Sequence, residues 1–222
     1  MKNTKKIFHP FSLILSIFLI FSISGCLQQT IHLNGVELRE YQGQKLSSIN
    51  DFHENSIKGP QYINNSTYRL HITGLVDNPK NFTIDEIINN HQHFKKIATL
   101  NCVEGWSVTI LWEGVLVKDL LNEIKLNSSG KIILFKAYDG YTTSFPINYI
   151  MNNSIILAYK MNNITIPPER GYPFQLVAEG KWGYKWIKWV TEIEVTNSTQ
   201  LSGYWENRGY SDNGDLNASY IG

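Results

Sequence analysis

Lys96-Ile97-Ala98-Thr99-Leu100-Asn101-Cys102-Val103-Glu104-Gly105-Trp106-Ser107 is followed, four residues on, by Leu111-Trp112-Glu113-Gly114-Val115. The first five residues form a short run that reads as a strand. That strand delivers Cys102 at its end, where a rigid element can aim a side chain and the loop beyond can close round a ligand. Cys102 is one of only two cysteines. The other, Cys26, belongs to an N-terminal signal, which leaves Cys102 without a disulfide partner. A lone thiol in an exported protein is either buried and inert or kept for its chemistry. Taken singly, the inert reading is the ordinary one, because free Cys is among the most buried residue types. Trp106 and Trp112 can wall a pocket beside the thiol or simply pack the core.

Outward from this stretch, 222 residues are enough for one substantial domain with a core that needs no disulfides. The formal charge is +1, and Lys2, Lys5 and Lys6 contribute three of the 20 basic residues. Without residues 1–25, 17 basic residues face 19 acidic ones. That balance lacks the electrostatic footprint of a nucleic-acid binder. The three lysines precede an apolar run from Phe11 to Ile23, of signal-peptide rather than membrane-spanning length. Ile23-Ser24-Gly25-Cys26 looks like a lipoprotein processing box, with Cys26 the residue to be lipidated. The alternative is an uncleaved N-terminal anchor. Either way the domain is expected on the outer face of the cytoplasmic membrane, held there without a spanning segment if lipid is the anchor. The expected organisation is a signal peptide over 1–25, a polar tether over 26–50, a domain over 51–196 and an aromatic tail over 197–222. Part of the tether can pack as an extra strand.

Within the domain, residues 51–60 have no period and end at Pro60, which reads as a loop. Tyr68–Ile72 alternates like a half-buried strand. Thr83-Ile84-Asp85-Glu86 predicts a capping box opening a helix to about Asn90. Val117, Leu120, Leu121 and Ile124 fall on one helix face. Lys131–Tyr138 and Tyr141–Phe145, joined by Asp139-Gly140, read as a hairpin. A helical turn over Ile147–Met151, a strand over Ser154–Lys160 and a reverse turn over Met161–Ile164 follow, and Glu192–Val195 looks like a closing strand. The resulting class is α+β, a strand-rich mixed sheet with short helices.

A second motif occupies the end of the domain: Ile166-Pro167-Pro168-Glu169-Arg170-Gly171-Tyr172-Pro173-Phe174-Gln175, then Lys181-Trp182-Gly183-Tyr184-Lys185-Trp186-Ile187-Lys188-Trp189. Arg170, Lys181, Lys185 and Lys188 could supply cations for a phosphorylated ligand, and the glycines would let backbone N–H groups approach it. On spacing alone they also suit a solvated basic face with tryptophans in the core. The two motifs together resemble the sulfite oxidase family of oxidoreductases with a molybdopterin-binding domain, including its periplasmic methionine sulfoxide reductase branch. The resemblance covers roughly residues 52–195. It implies the molybdopterin-domain fold, Cys102 as the thiolate ligand of molybdenum, and Asn55, Ser56, Lys58, Lys185 and Lys188 as groups that hold the pterin. Arg170 joins Cys102 as a catalytic candidate, with Arg170 or Lys181 facing an anionic or polar oxo substrate. Arg170, Gln175 and Glu179 stand where the family pattern has Asn, Arg and Pro. Gln cannot make the bidentate contact of Arg, so cofactor contacts are redistributed or a different anion is handled.

The function so implied is two-electron oxygen-atom transfer on a small oxo substrate, sulfite-like or sulfoxide-like. Thiolate softness suits the metal. No haem-attachment motif is present, so electrons are expected to pass through a separate protein or membrane partner. The competing reading is a cofactor-free binding module with the same fold on a membrane-anchored lipoprotein. Leu201–Asp212 is too aromatic for a disordered end and is expected to fold back on the domain. There Trp205, Arg208 and Tyr210 either rim the site or simply pack.

Overall fold

The computed structural model describes residues 35–222. The expected signal peptide, Cys26 and the first part of the expected tether lie outside them. The described chain enters through a small hairpin, β1 (Glu40–Tyr41) and β2 (Gln44–Lys45). β3 (Leu70–Gly74) and β4 (Lys80–Phe82) lead into α1 (Ile84–Asn90). The capping box is present. Thr83 Oγ1 accepts from the Glu86 N–H at 3.1 Å, and Glu86 Oε2 accepts from the Thr83 N–H at 2.8 Å. β5 (His93–Asn101) and β6 (Ser107–Leu116) follow, then α2 (Val117–Ile124), which buries Val117, Leu120, Leu121 and Ile124 as its spacing predicts. β7 (Ile132–Ala137), β8 (Thr142–Pro146), α3 (Ile147–Asn152), β9 (Ile156–Met161), β10 (Ile164–Thr165), β11 (Gln175–Val177) and β12 (Val190–Thr196) complete the elements used below.

Apart from the β1–β2 hairpin, which pairs only with itself, these strands form two five-stranded sheets. One runs β4-β3-β12-β7-β8, antiparallel except where β12 lies parallel to β3. In the other, β5 and β6 pair along their full length, from His93↔Val115 to Asn101↔Ser107. β9 takes the other edge of β6, and β10 and β11 share the far edge of β9. The β9–β10 turn places Asn162 and Asn163 at φ 47 and 70, the pair of positive values that a two-residue type I′ turn requires. Gly114 explains the Trp-x-Gly spacing. A Cβ there would meet the Leu157 carbonyl oxygen at 2.2 Å, so only glycine lets β6 close on β9. This is the mixed-sheet, α+β class expected.

Two readings that the sequence leaves open are decided by packing. Residues 35–50 are not a free tether in this structure. Leu46, Ser48 and Ile49 are buried, the Leu38 N–H donates to Asn162 O at 2.9 Å, and the Ser47 N–H donates to Thr109 O at 2.8 Å. Their apolar residues are too scattered to show a period, which is why the stretch reads as polar linker. Trp112 is fully buried and donates to Ala98 O at 3.2 Å, so it packs the core rather than walling a pocket.

Candidate active site

Cys102 leaves the end of β5 in a five-residue loop. Its N–H donates to Trp106 O at 2.9 Å, and the Gly105 N–H donates to Cys102 O at 3.1 Å. Gly105 sits at φ 88, a conformation glycine adopts without penalty. The closed loop holds the Cys102 side chain against a cleft of about 470 Å³. The second motif packs directly behind it. Asn101 bridges Trp182 in parallel, and a Cβ on Gly183 would stand 3.4 Å from Cys102 Cα. The Lys-Trp-Gly-Tyr spacing therefore serves close approach to the cysteine.

A third stretch, Phe52–Ile57, supplies another wall. Asn55 Nδ2 donates to Glu104 Oε1 at 2.9 Å, and Trp106 Nε1 donates to Glu104 Oε2 at 3.1 Å. The His53 ring lies 5.3 Å from that of Trp106. Arg170 secures the base of this wall through Nε to Ile49 O at 3.2 Å and a terminal nitrogen to Phe52 O at 3.0 Å. Lys188 Nζ reaches Glu54 Oε1 at 3.1 Å and Glu169 O at 3.4 Å. Burial pushes the Lys188 ammonium below the usual lysine range, and the Glu54 carboxylate pulls against that. Burial likewise pushes the Cys102 thiol up. The Glu104 carboxylate adds to the rise, and backbone N–H groups of Glu104 and Val103 oppose it.

Of the residues singled out from sequence, Cys102, Asn55, Ser56, Arg170 and Lys188 line one cleft. Three others do not. Lys185 is wholly buried away from it: Nζ pairs with Glu206 Oε1 at 2.6 Å and donates to Ser144 O at 2.8 Å and Asp212 O at 2.9 Å. Lys181 pairs with Asp215 at 2.6 Å. Lys58 is exposed, near Gly140. In the turn Gly183–Lys185 successive side chains point to different sides, so Tyr184 and Trp186 face the cleft while Lys185 faces the interior. Sequence reasoning missed Glu104 as the partner of Asn55; its place two residues after the cysteine was the only signal. Trp205 and Tyr210 of the tail do line the cleft, while Arg208 stacks over Tyr204 at 3.7 Å.

Two buried polar atoms in the cleft wall, Ser56 Oγ and Gln175 Oε1, have no hydrogen-bond partner. Buried polar atoms are nearly always paired, so such orphans mark where a polar ligand completes the site. A lone thiol, two orphan polar atoms, two cations and an aromatic wall fit a large, polar, anionic cofactor with a soft metal.

Comparison with known proteins agrees. The pattern of the oxidoreductase molybdopterin-binding domain matches residues 57–205, and the chain belongs to that family. It is 27% identical to the uncharacterized oxidoreductase YuiH of Bacillus subtilis, over 70% of this chain and 78% of that one. It is 32% identical to YedZ1 of Azospira oryzae, named as a protein-methionine-sulfoxide reductase subunit, over 67% of this chain and 56% of that one. The fold is shared with the sulfane dehydrogenase SoxCD of Paracoccus pantotrophus, at a TM-score of 0.63 and 24% identity over 70% of this chain and 43% of that one. The protein is thus a molybdenum-dependent oxidoreductase with molybdopterin as its cofactor.

Proposed function

We propose that the protein transfers an oxygen atom to or from a small oxo substrate, sulfite-like or sulfoxide-like, with two electrons exchanged through a separate protein. The carrying observation is the Cys102 thiol, without a disulfide partner among the described residues, in a cleft where Ser56 Oγ and Gln175 Oε1 stand unpaired. Molybdopterin, when bound, supplies a metal that changes by two electrons as the oxygen moves, in the balance X + H2O ⇌ XO + 2H⁺ + 2e⁻. Cys102 would give the metal its protein sulfur, and its proton must leave on binding. Ser56 and Gln175 would meet polar edges of the cofactor, and Lys188 and Arg170 would face its anionic part. Glu104 holds Asn55 and Trp106 in place around the thiol.

The relative named as a reductase subunit supports a separate electron partner. The N-terminal sequence supports a lipid anchor at Cys26 and an extracytoplasmic, membrane-attached site of action. Elemental analysis of residues 27–222, made in a host that produces molybdopterin, tests the cofactor assignment: near one molybdenum and one pterin per chain is expected. Cys102→Ser should lose the metal, and unchanged metal content in that variant would refute the ligand role. For the anchor, mass spectrometry of the mature N-terminus should find lipid on Cys26; an unmodified thiol there rules the lipid anchor out.

A further inference from the structure

The C-terminal segment gives the cleft a wall of rings. Tyr204, Trp205 and Tyr210 all line it. Their centroids are 5.3 Å apart for Tyr204–Trp205 and 5.0 Å for Trp205–Tyr210. Tyr204 packs on Tyr141 at 5.6 Å, and Tyr210 packs on Tyr184 at 5.1 Å. The segment is fastened from behind. Glu206 and Lys185, both with wholly buried side chains, pair at 2.6 Å, and Thr143 Oγ1 donates to the same Glu206 oxygen at 2.6 Å. The Tyr204 N–H donates to Thr142 O at 2.8 Å, and Tyr184 Oη donates to Ser211 O at 2.6 Å.

Among the described residues, no Lys or Arg of this segment lines the cleft. Arg208 lies over the Tyr204 ring and does not line the cleft. The two cations that do line it, Arg170 and Lys188, are bonded to the Ile49–Glu54 stretch and the Glu169 carbonyl. The cleft lining is therefore of two kinds: Arg170, Lys188, Asn55 and Ser56, with the Glu104 and Glu169 carboxylates among them, and the rings of the C-terminal segment. An inorganic oxyanion set against rings loses hydration and gains nothing in return. A flat or methyl-rich group buries apolar area there and gains from ring contacts.

We propose that Trp205 and Tyr210 determine substrate specificity, selecting uncharged oxo compounds that carry a flat or methyl-rich substituent over inorganic oxyanions. Lys185 and Glu206 are the positioning pair that holds these rings in the cleft. The proposal rests on the oxygen-transfer reading above. Its probes are methyl p-tolyl sulfoxide and nitrate, each reduced with a viologen dye as electron donor. Each takes two electrons and two protons and releases water, leaving the sulfide or nitrite. A third probe, methyl p-tolyl sulfone, is used only as an equilibrium ligand in calorimetry.

In holoprotein of matched molybdenum content, Trp205→Ala and Tyr210→Ala should each weaken sulfone binding and raise the sulfoxide KM by about tenfold, the scale of lost pocket contacts, with the nitrate KM changed by less than about twofold. Trp205→Phe and Tyr210→Phe, which keep a ring, should stay near wild type and guard against simple misfolding. Glu206→Gln should raise the sulfoxide KM while leaving kcat and the nitrate KM in place. Unchanged sulfone binding in the alanine variants, or an equal rise in both KM values, would overturn the proposal. If the protein carries no molybdenum yet binds the sulfone through Trp205, the specificity wall stands and the oxygen-transfer reading falls.

Discussion

Burial holds the Cys102 thiol in its protonated form, and the neighbouring Glu104 carboxylate strengthens that hold. At any given pH the folded, metal-free protein therefore has less thiolate than a free cysteine would. Its alkylation by iodoacetamide should reach half-maximal rate above the ordinary thiol pKa of about 8.5. A midpoint at or below that value would show that the loop stabilises the anion. Replacing Glu104 by Gln removes the opposing charge and should move the midpoint down, while also weakening the hold on Asn55. Sequence singled out Cys102 through the family resemblance of the motif around it, since a thiol without a partner is ordinarily inert. It did not single out Glu104, whose role depends on Asn55 arriving from 49 residues away. It misplaced Lys185, because composition shows a charge and not the side of a short turn on which it falls.

Elements were more legible than side-chain roles. The capping box, the α2 face and the β7–β8 hairpin are local patterns, and each appears where its spacing placed it. The Glu86 carboxylate is held below its usual range, first by the Thr83 backbone N–H and then by the Thr83 hydroxyl. A depressed carboxylate contributes stability that is present above its unfolded pKa of about 4.3 and is lost as pH falls through the folded value. Thr83→Ala should reduce the acid dependence of stability in that window, measured by urea unfolding as a function of pH. Gly114 is a different case: its need is set by the approach of β9, which no local pattern reveals. Gly114→Ala should cost roughly 3 kcal/mol, because the strand ladder must open to admit one methyl group. A urea midpoint within error of wild type would contradict the close packing seen here.

Across the whole molecule, the two ends of the described chain both converge on the cleft. At the C-terminal end, Glu206→Ala would strand the Lys185 ammonium in the interior. Breaking one side of a buried pair costs about 3–5 kcal/mol. Chymotrypsin should then cut within Tyr204–Tyr220 before it cuts the sheets; simultaneous loss of all fragments would show that the segment and the domain unfold together. At the N-terminal end, residues 37–49 are stitched together and to the β9–β10 turn. The Ile49 N–H donates to Glu37 Oε1 at 2.9 Å, and Asn162 Nδ2 donates to Ser47 O at 2.8 Å. The Asn162–Ser47 contact spans 115 residues, so no reading of residues 26–50 by themselves could find it. The wall of the cleft begins immediately beyond, at Phe52. Any mechanical tension on the chain ahead of Gly35 meets the Leu38–Asn162 and Glu37–Ile49 bonds first and passes into the sheet through Asn162. The stitch acts as a clamp does on a cable: a pull on the N-terminal end is shared between the sheet, through Asn162, and Ile49, whose carbonyl oxygen accepts from Arg170 Nε at 3.2 Å.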